Sequence, residues 1–185
     1  MSARQTRHKA ISKSPTLKFV SSMQRRLFDY EFLGLKNLDK DKPSILVGNH
    51  SIYAWDVAIM LVQLKMQKDI ELRALGDRMH ANIPLWRDLL ENYGVVPGTP
   101  QNCAQLMQNK QHILVFPGGA REAFKRSGEE HRLFWKKRTG FARMAVANKY
   151  PITPFFVYGA DLGYDILWDY SRMKKNRMLA PLFRK

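Results

Sequence analysis

The chain has 185 residues and a mass of 21.6 kDa, the length of about one domain, enough to bury roughly two-thirds of the surface its unfolded form exposes. Hydrophobic residues make up 45% and charged residues 25%, which excludes a wholly disordered, collagen-like or disulfide-rich chain; the single cysteine, Cys103, cannot close an intramolecular disulfide and fits a reducing compartment. The net charge is +15, and 13 basic residues without one acid sit in residues 1–28 and 171–185, which leaves +2 for residues 29–170. Two basic ends on a nearly neutral body suit an anionic surface, either phospholipid headgroups or nucleic acid, or they serve only as solvated tails.

Residues 1–13 read as a basic disordered leader, and residues 14–185 as a single domain. Residues 1–16 carry no apolar run of the signal-peptide kind. Ser14-Pro15 is a helix start, with serine as cap and proline in the first turn. Leu17, Val20, Met23 or Gln24, Leu27 and Tyr30 or Glu31 then fall at helical spacing. The spacing predicts an amphipathic basic helix over 14–31, of the interfacial kind or docked on its own core. A polar turn ending in Pro43 precedes the apolar run Ser44–Gly48, a buried-strand pattern.

A helix follows over 55–66, a strand over 70–75, a short helix over 84–90 and a strand over 93–96. Next come a helix over 100–109, a strand over 112–116, a helix over 141–148 and a strand over 152–158 carrying Pro154. Strands alternating with helices predict an α/β fold with a mostly parallel sheet flanked by helices. A proline inside a strand belongs at an edge, a strand end or a bulge. The most apolar stretch, 43–64, is broken by Asn49, His50 and Asp56, so it is not a membrane span.

Chemistry-bearing residues cluster where predicted strands end, the place where ligands gather in open α/β sheets. His50 leaves the first strand, and Asp56 stands near the start of the next helix. A carboxylate bonded to one imidazole nitrogen fixes the tautomer and leaves the other nitrogen free to take a proton from a hydroxyl. On a continuous helix six residues would turn the two side chains about 240° apart. The pair therefore requires a segment that loops back; otherwise His50 ends a strand and Asp56 caps a helix. The second cluster is Phe116-Pro117-Gly118-Gly119-Ala120-Arg121-Glu122. Its glycines permit close backbone approach, a helix start near Ala120 favours an anion, and Arg121 offers a fork for phosphate. The plainer alternative is a strand-to-helix turn with a surface ion pair. GxxxxGK[ST], GxGxxG and GxSxG are all absent, and the histidines and Cys103 show no metal-ligand spacing.

Taken in order, these segments resemble the glycerolipid acyltransferase superfamily, the PlsC-like lysophosphatidate acyltransferases. The blocks carrying the resemblance are Asn49-His50 to Asp56, Tyr93-Gly94-Val95-Val96-Pro97-Gly98, Phe116 to Glu122, and Tyr150-Pro151-Ile152-Thr153-Pro154. Five residues rather than four separate His50 from Asp56, and the third block reads P-G-G-A-R-E instead of P-E-G-T-R. Both departures look like the branch holding diacylglycerol acyltransferase-type enzymes and their bacterial and plant relatives. The middle block lacks the arginine of phosphate-binding members, which leaves a neutral lipid alcohol open as acceptor.

The resemblance implies transfer of a fatty-acyl group from acyl-CoA or acyl carrier protein to a lipid hydroxyl, with no further cofactor and no metal. It implies His50 as general base and Asp56 as its orienting partner. Asn49, Gly118, Gly119, Arg121, Glu122 and Pro154 would serve substrate binding, with backbone donors from the glycines and phosphate held by Arg121. It further implies the glycerol-3-phosphate acyltransferase-like form of the α/β fold. The expected partners are the acyl donor, the lipid alcohol and a peripheral anionic membrane surface on the cytoplasmic side, without nucleic acid. Two rival readings stand beside it. One is a lipid-binding version of the fold without chemistry, to which the 27 residues after Tyr158, short for the family, lend weight. The other is a basic module for nucleic acid or anionic membrane.

Overall fold

A computed structural model describes residues 14–77, 88 and 90–163. The basic leader, the basic end and most of the expected helix over 84–90 lie outside the described residues; Asp88 and Leu90 are helical. Helix α1 spans Pro15–Leu27. Strand β1 (Ile45–Val47) leads into α2 (Trp55–Lys68), β2 (Leu72–Gly76) and β3 (Val95–Pro97). Then come α3 (Pro100–Gln108), β4 (His112–Val115), the single turn α4 (Ala120–Ala123), α5 (Gly140–Ala147) and β5 (Ile152–Pro154).

The five strands form one sheet in the order β3-β2-β4-β1-β5, and every neighbouring pair is parallel. The expected parallel sheet flanked by helices is therefore the observed fold. Parallel sheets need both faces covered, which is why the strands read as continuous apolar runs. Leu46, Leu72, Ala74 and Leu114 join Met60, Leu61 and Leu64 of α2 on one face. Ile45, Val47 and Ile113 join Cys103 and Met107 of α3 and Ala145 of α5 on the other. Alternate residues of β1 thus serve opposite cores, as the two-residue period of a strand requires.

The Pro15 helix begins as its sequence predicts: the Ser14 hydroxyl accepts from the Leu17 N–H at 3.1 Å. It stops at Leu27 rather than running to 31, because Phe28 turns extended. The expected stripe is split: Leu17 and Gln24 turn inward, and Met23 and Leu27 turn outward. The inward face carries Leu17, Ser21 and Gln24, whereas Phe19, Met23 and Leu27 point outward, 67%, 43% and 67% exposed. Polar groups dock this helix: Gln63 Nε2 donates to Ser21 Oγ at 3.0 Å and to Gln24 Oε1 at 3.2 Å, and Gln24 Nε2 donates to the Ala58 carbonyl at 3.0 Å.

Pro154 sits in an edge strand, where its missing N–H costs no ladder bond. β5 ends there instead of continuing to 158. Beyond it the Asn49 amide replaces a strand partner, accepting from Val157 N–H at 2.7 Å and donating to Val157 C=O at 2.8 Å.

Candidate active site

Three of the four motif segments leave adjacent strands. β1 lies between β4 and β5, so the chain after Val47, after Val115 and after Pro154 emerges side by side at one end of the sheet. The middle block does not join them. Val95 to Pro97 form β3, at the far edge with β2 and β4 intervening, roughly 14 Å from β1 at the usual strand spacing.

His50 and Asp56 meet. His50 Nδ1 lies 3.0 Å from Asp56 Oδ1 and 3.1 Å from Oδ2, and both residues are buried. The segment between them loops back through a short 3₁₀ turn at Ile52–Ala54, in which Tyr53 and Ala54 both take φ of 60°. Left-handed backbone at two non-glycine residues is unusual, and it is what lets a five-residue spacing close the pair. Asp56 is fixed by three further bonds, two of them to its carboxylate. It accepts from Ser51 N–H at 2.8 Å (Oδ2) and Val57 N–H at 2.9 Å (Oδ1), while Ser51 Oγ accepts from Asp56 N–H at 3.3 Å. Facing a carboxylate, Nδ1 carries the proton and donates. Nε2 has no hydrogen-bond partner among the described residues. The Phe116 ring stacks flat on the imidazole, 4.0 Å between centroids and 12° between planes.

The Gly118-Gly119 turn follows β4 after Phe116 and Pro117. Gly119 adopts φ of +54°, a conformation glycine takes without strain. Its N–H is spent within the turn, donating to the Phe116 carbonyl at 2.9 Å, so it is not a donor for substrate. A Cβ on Gly118 would collide with the Glu122 carboxyl; the close approach serves an internal group, not a ligand. Glu122 is fully buried, and both its oxygens serve the backbone. Oε2 accepts from His50 N–H at 2.9 Å and Oε1 from Phe134 N–H at 2.8 Å. Glu122 is thus a tether rather than a substrate contact. The Asn49 amide, bonded twice to Val157, is likewise structural.

Arg121 is only partly exposed and already engaged. Its Nη2 donates to Glu129 Oε2 at 2.6 Å, and its guanidinium lies 4.0 Å from the Phe134 ring centroid. The Arg121 hydrogen bond holds the Glu129 carboxyl below the usual carboxylate range. Pro154 is exposed and pairs with Val47, three residues before His50.

Four neighbours escape the sequence reading. Phe116 is quoted there only as part of a block, and Arg138 not at all, yet Arg138 Nη1 donates to the carbonyls of Pro117 (2.9 Å) and Gly118 (2.7 Å). Lys125 and Asp161 form a buried ion pair at 2.6 Å. Burial pushes the Asp161 carboxyl up, but the Lys125 ammonium and the His131 and Ile52 N–H groups outweigh it and hold the pKa below the ordinary value. Only Lys125 offered a local signal, standing one turn beyond Arg121.

An imidazole bonded to a buried carboxylate at the carboxyl end of a parallel sheet, its second nitrogen unclaimed, defines an α/β protein equipped to activate a hydroxyl or water. Comparison with known proteins narrows this. A family model described as "Acyltransferase" matches residues 29–158, and the chain belongs to that family. It is 33% identical over 163 residues to "Phytyl ester synthase 2, chloroplastic" of Arabidopsis thaliana, covering 82% of this chain and 22% of the relative. It is 27% identical over 161 residues to the "DGAT1/2-independent enzyme synthesizing storage lipids" of Bos taurus, covering 83% and 47%. The chain therefore spans about a fifth to a half of these relatives' length. The crystal structure of the 1-acyl-sn-glycerophosphate (LPA) acyltransferase PlsC from Thermotoga maritima shares the fold, with a TM-score of 0.52 at 20% identity over 78% of this chain and 58% of that one.

Proposed function

We propose that this chain transfers a fatty-acyl group from an acyl thioester, acyl-CoA or acyl carrier protein, to the hydroxyl of a neutral lipid alcohol. The observation that carries the reading is the His50–Asp56 bond, which commits Nδ1 and leaves Nε2 as the acceptor. The acceptor O–H gives its proton to Nε2 as its oxygen bonds to the thioester carbonyl carbon. Asp56 stabilises the imidazolium that forms. The tetrahedral intermediate then collapses, the C–S bond breaks, and the leaving thiolate takes the proton from Nε2. No covalent enzyme intermediate is involved, and general-base help of this kind contributes about 10²–10⁴-fold.

A neutral acceptor is favoured by two facts: Arg121 is charge-paired with Glu129, and the relatives' names speak of phytyl esters and storage lipids. His50→Ala tests the base. Thiol release from acyl-CoA with a panel of lipid alcohols should fall to background while circular dichroism stays native. A variant retaining more than about a tenth of wild-type turnover removes His50 from this role.

The acceptor's home explains α1. Among the described residues no helix is long and apolar enough to cross a membrane. Phe19, Met23 and Leu27 recur every four residues on the exposed face of α1, beside exposed Lys18, Arg25 and Arg26. Phe28, just past the helix, touches Trp55 at 5.2 Å, at the start of the helix bearing Asp56. An apolar stripe rimmed by cations is the pattern of an interfacial helix, and we assign it to peripheral contact with an anionic bilayer. Replacing Phe19, Met23 and Leu27 together by serine should weaken sedimentation with phosphatidylserine-containing vesicles at least tenfold. It should change turnover on a soluble short-chain acceptor by less than about threefold. Equal wild-type binding to neutral and anionic vesicles, or tighter binding to DNA at the same salt, would remove this assignment.

A further inference from the structure

The three residues that present the base are held by charged side chains, one of them near in the chain and the others distant. His50 N–H donates to Glu122 Oε2 at 2.9 Å, Ser51 N–H to Asp56 Oδ2 at 2.8 Å, and Ile52 N–H to Asp161 Oδ1 at 3.1 Å. The His50 carbonyl accepts from Lys125 Nζ at 2.8 Å, and that same ammonium bonds Asp161 Oδ2 at 2.6 Å. Asp161 Oδ2 also accepts from His131 N–H at 3.1 Å. Asp56, Glu122, Asp161 and Lys125 are all buried. Of these three carboxylates, Asp161 alone bonds the Lys125 ammonium among the described residues, while Asp56 and Glu122 serve N–H groups. Arg138 faces the Pro117-Gly118 turn, and Arg121 is occupied by Glu129.

We propose that Lys125 and Asp161 are positioning residues for His50, a role that rests on the acyl-transfer reading above. Lys125 grips the His50 carbonyl and Asp161 the Ile52 N–H, so one ion pair clamps the peptide segment on both sides of Ser51. The segment leads straight into the left-handed Tyr53–Ala54 turn, whose backbone is closed by the Ala54 N–H donating to the Ser51 carbonyl at 3.2 Å. Phe116 fixes the ring plane and Asp56 its Nδ1 edge; the clamp fixes the backbone from which the ring hangs. A displacement of about 1 Å at a reacting group can cost about 10²-fold in rate. Neither side chain reaches the reacting atoms, so neither is a catalytic residue.

A buried ion pair can also serve stability alone, and the two roles separate in a double variant. Removing one partner leaves an uncompensated buried charge and destabilises strongly, whereas removing both charges together leaves none uncompensated. Lys125→Met and Asp161→Asn should each lower the melting temperature, and Lys125→Met/Asp161→Asn should recover most of the loss. Turnover should not recover with it: kcat of the double variant should stay about 10–100-fold below wild type, with KM for both substrates within about twofold. A double variant that regains wild-type kcat along with its melting temperature overturns the proposal.

A second readout needs no substrate. The His50 Nδ1–H bonded to Asp56 should give a downfield proton resonance in the wild type, assigned by its loss in His50→Gln. It should shift or broaden in the double variant, and in Asp161→Asn, which keeps an acceptor for the Ile52 N–H. An unmoved resonance in both overturns the clamp. Wild-type protein without turnover on any lipid alcohol, or His50→Ala with full turnover, refutes the acyl-transfer reading instead, and the resonance still decides the clamp.

Discussion

Replacing Asp56 by asparagine isolates what the carboxylate does for His50. The two side chains have nearly the same shape, so packing is conserved. The hydrogen-bond demands are not. Asp56 Oδ2 accepts from the Ser51 N–H and Oδ1 from the Val57 N–H, and both face Nδ1 of His50. An asparagine amide turned either way sets its NH₂ against one of those two N–H groups. One buried donor is then unsatisfied, at about 1–3 kcal/mol, which for a chain of this size lowers the melting temperature by about 2–4 °C per kcal/mol. The amide also offers Nδ1 a donor, which favours the tautomer with its proton on Nε2. That form cannot take a proton from a hydroxyl at Nε2. The loss should approach the whole general-base contribution, about 10²–10⁴-fold in kcat, or roughly 3–5 kcal/mol of barrier. KM should change little, because the carboxylate touches neither substrate. Initial rates of thiol release, with thermal unfolding followed in parallel, give both numbers. An Asp56→Asn protein that unfolds several degrees earlier yet keeps more than about a tenth of wild-type kcat would show that Asp56 supports the loop without setting the tautomer.

The Arg121–Glu129 pair makes the phosphate question measurable. If Arg121 receives a phosphate of the acyl donor, Glu129 competes for it. Arg121→Ala should then raise KM for acyl-CoA severalfold with kcat retained, Glu129→Gln should lower it, and KM values that move in neither variant dismiss Arg121 as a donor ligand. Tyr150 supplies an alkaline signature. Burial, and then the charge of Cys103, push its phenol up to about 12, and its hydroxyl donates to the Gln111 carbonyl at 2.6 Å. Between about pH 10 and 12 the native state keeps a proton that the unfolded chain gives up, so stability falls as pH rises through that window. Tyr150→Phe should flatten this part of the denaturation profile; an unchanged slope refutes the assignment.

The parts legible in the sequence were those governed by local rules. Apolar runs marked the strands because a parallel sheet is buried on both faces, Ser14-Pro15 marked a helix start, and Pro154 marked an edge. His50 and Asp56 were legible as a pair only through the resemblance. Helical geometry sets them apart, and nothing local announces that Tyr53 and Ala54 turn left-handed. Ser21 lies off the expected stripe of α1, since hydrophobicity says which residues avoid water, not which find a polar partner; it and Gln24 are buried because Gln63 meets them from 39 or more positions away. Glu122 is placed against substrate by the resemblance alone. Its fully internal position depends on Gly118 having no side chain and on two backbone N–H groups, one of them 72 residues distant in the chain. Asp161 has no local signal, and Lys125 only its place one turn beyond Arg121, because a lysine next to an arginine-rich loop reads as surface until the fold buries it.

The strand order divides the rim of the sheet into two unequal halves. β4, β1 and β5 carry all the groups assigned to the reaction, and β2 and β3 carry none. The hydrogen bonds that hold His50 come from segments after β1, β4 and β5, so a substitution within strand β2 or β3 leaves each of those bonds in place. Such a fold keeps the support of its base apart from the strands at its far edge.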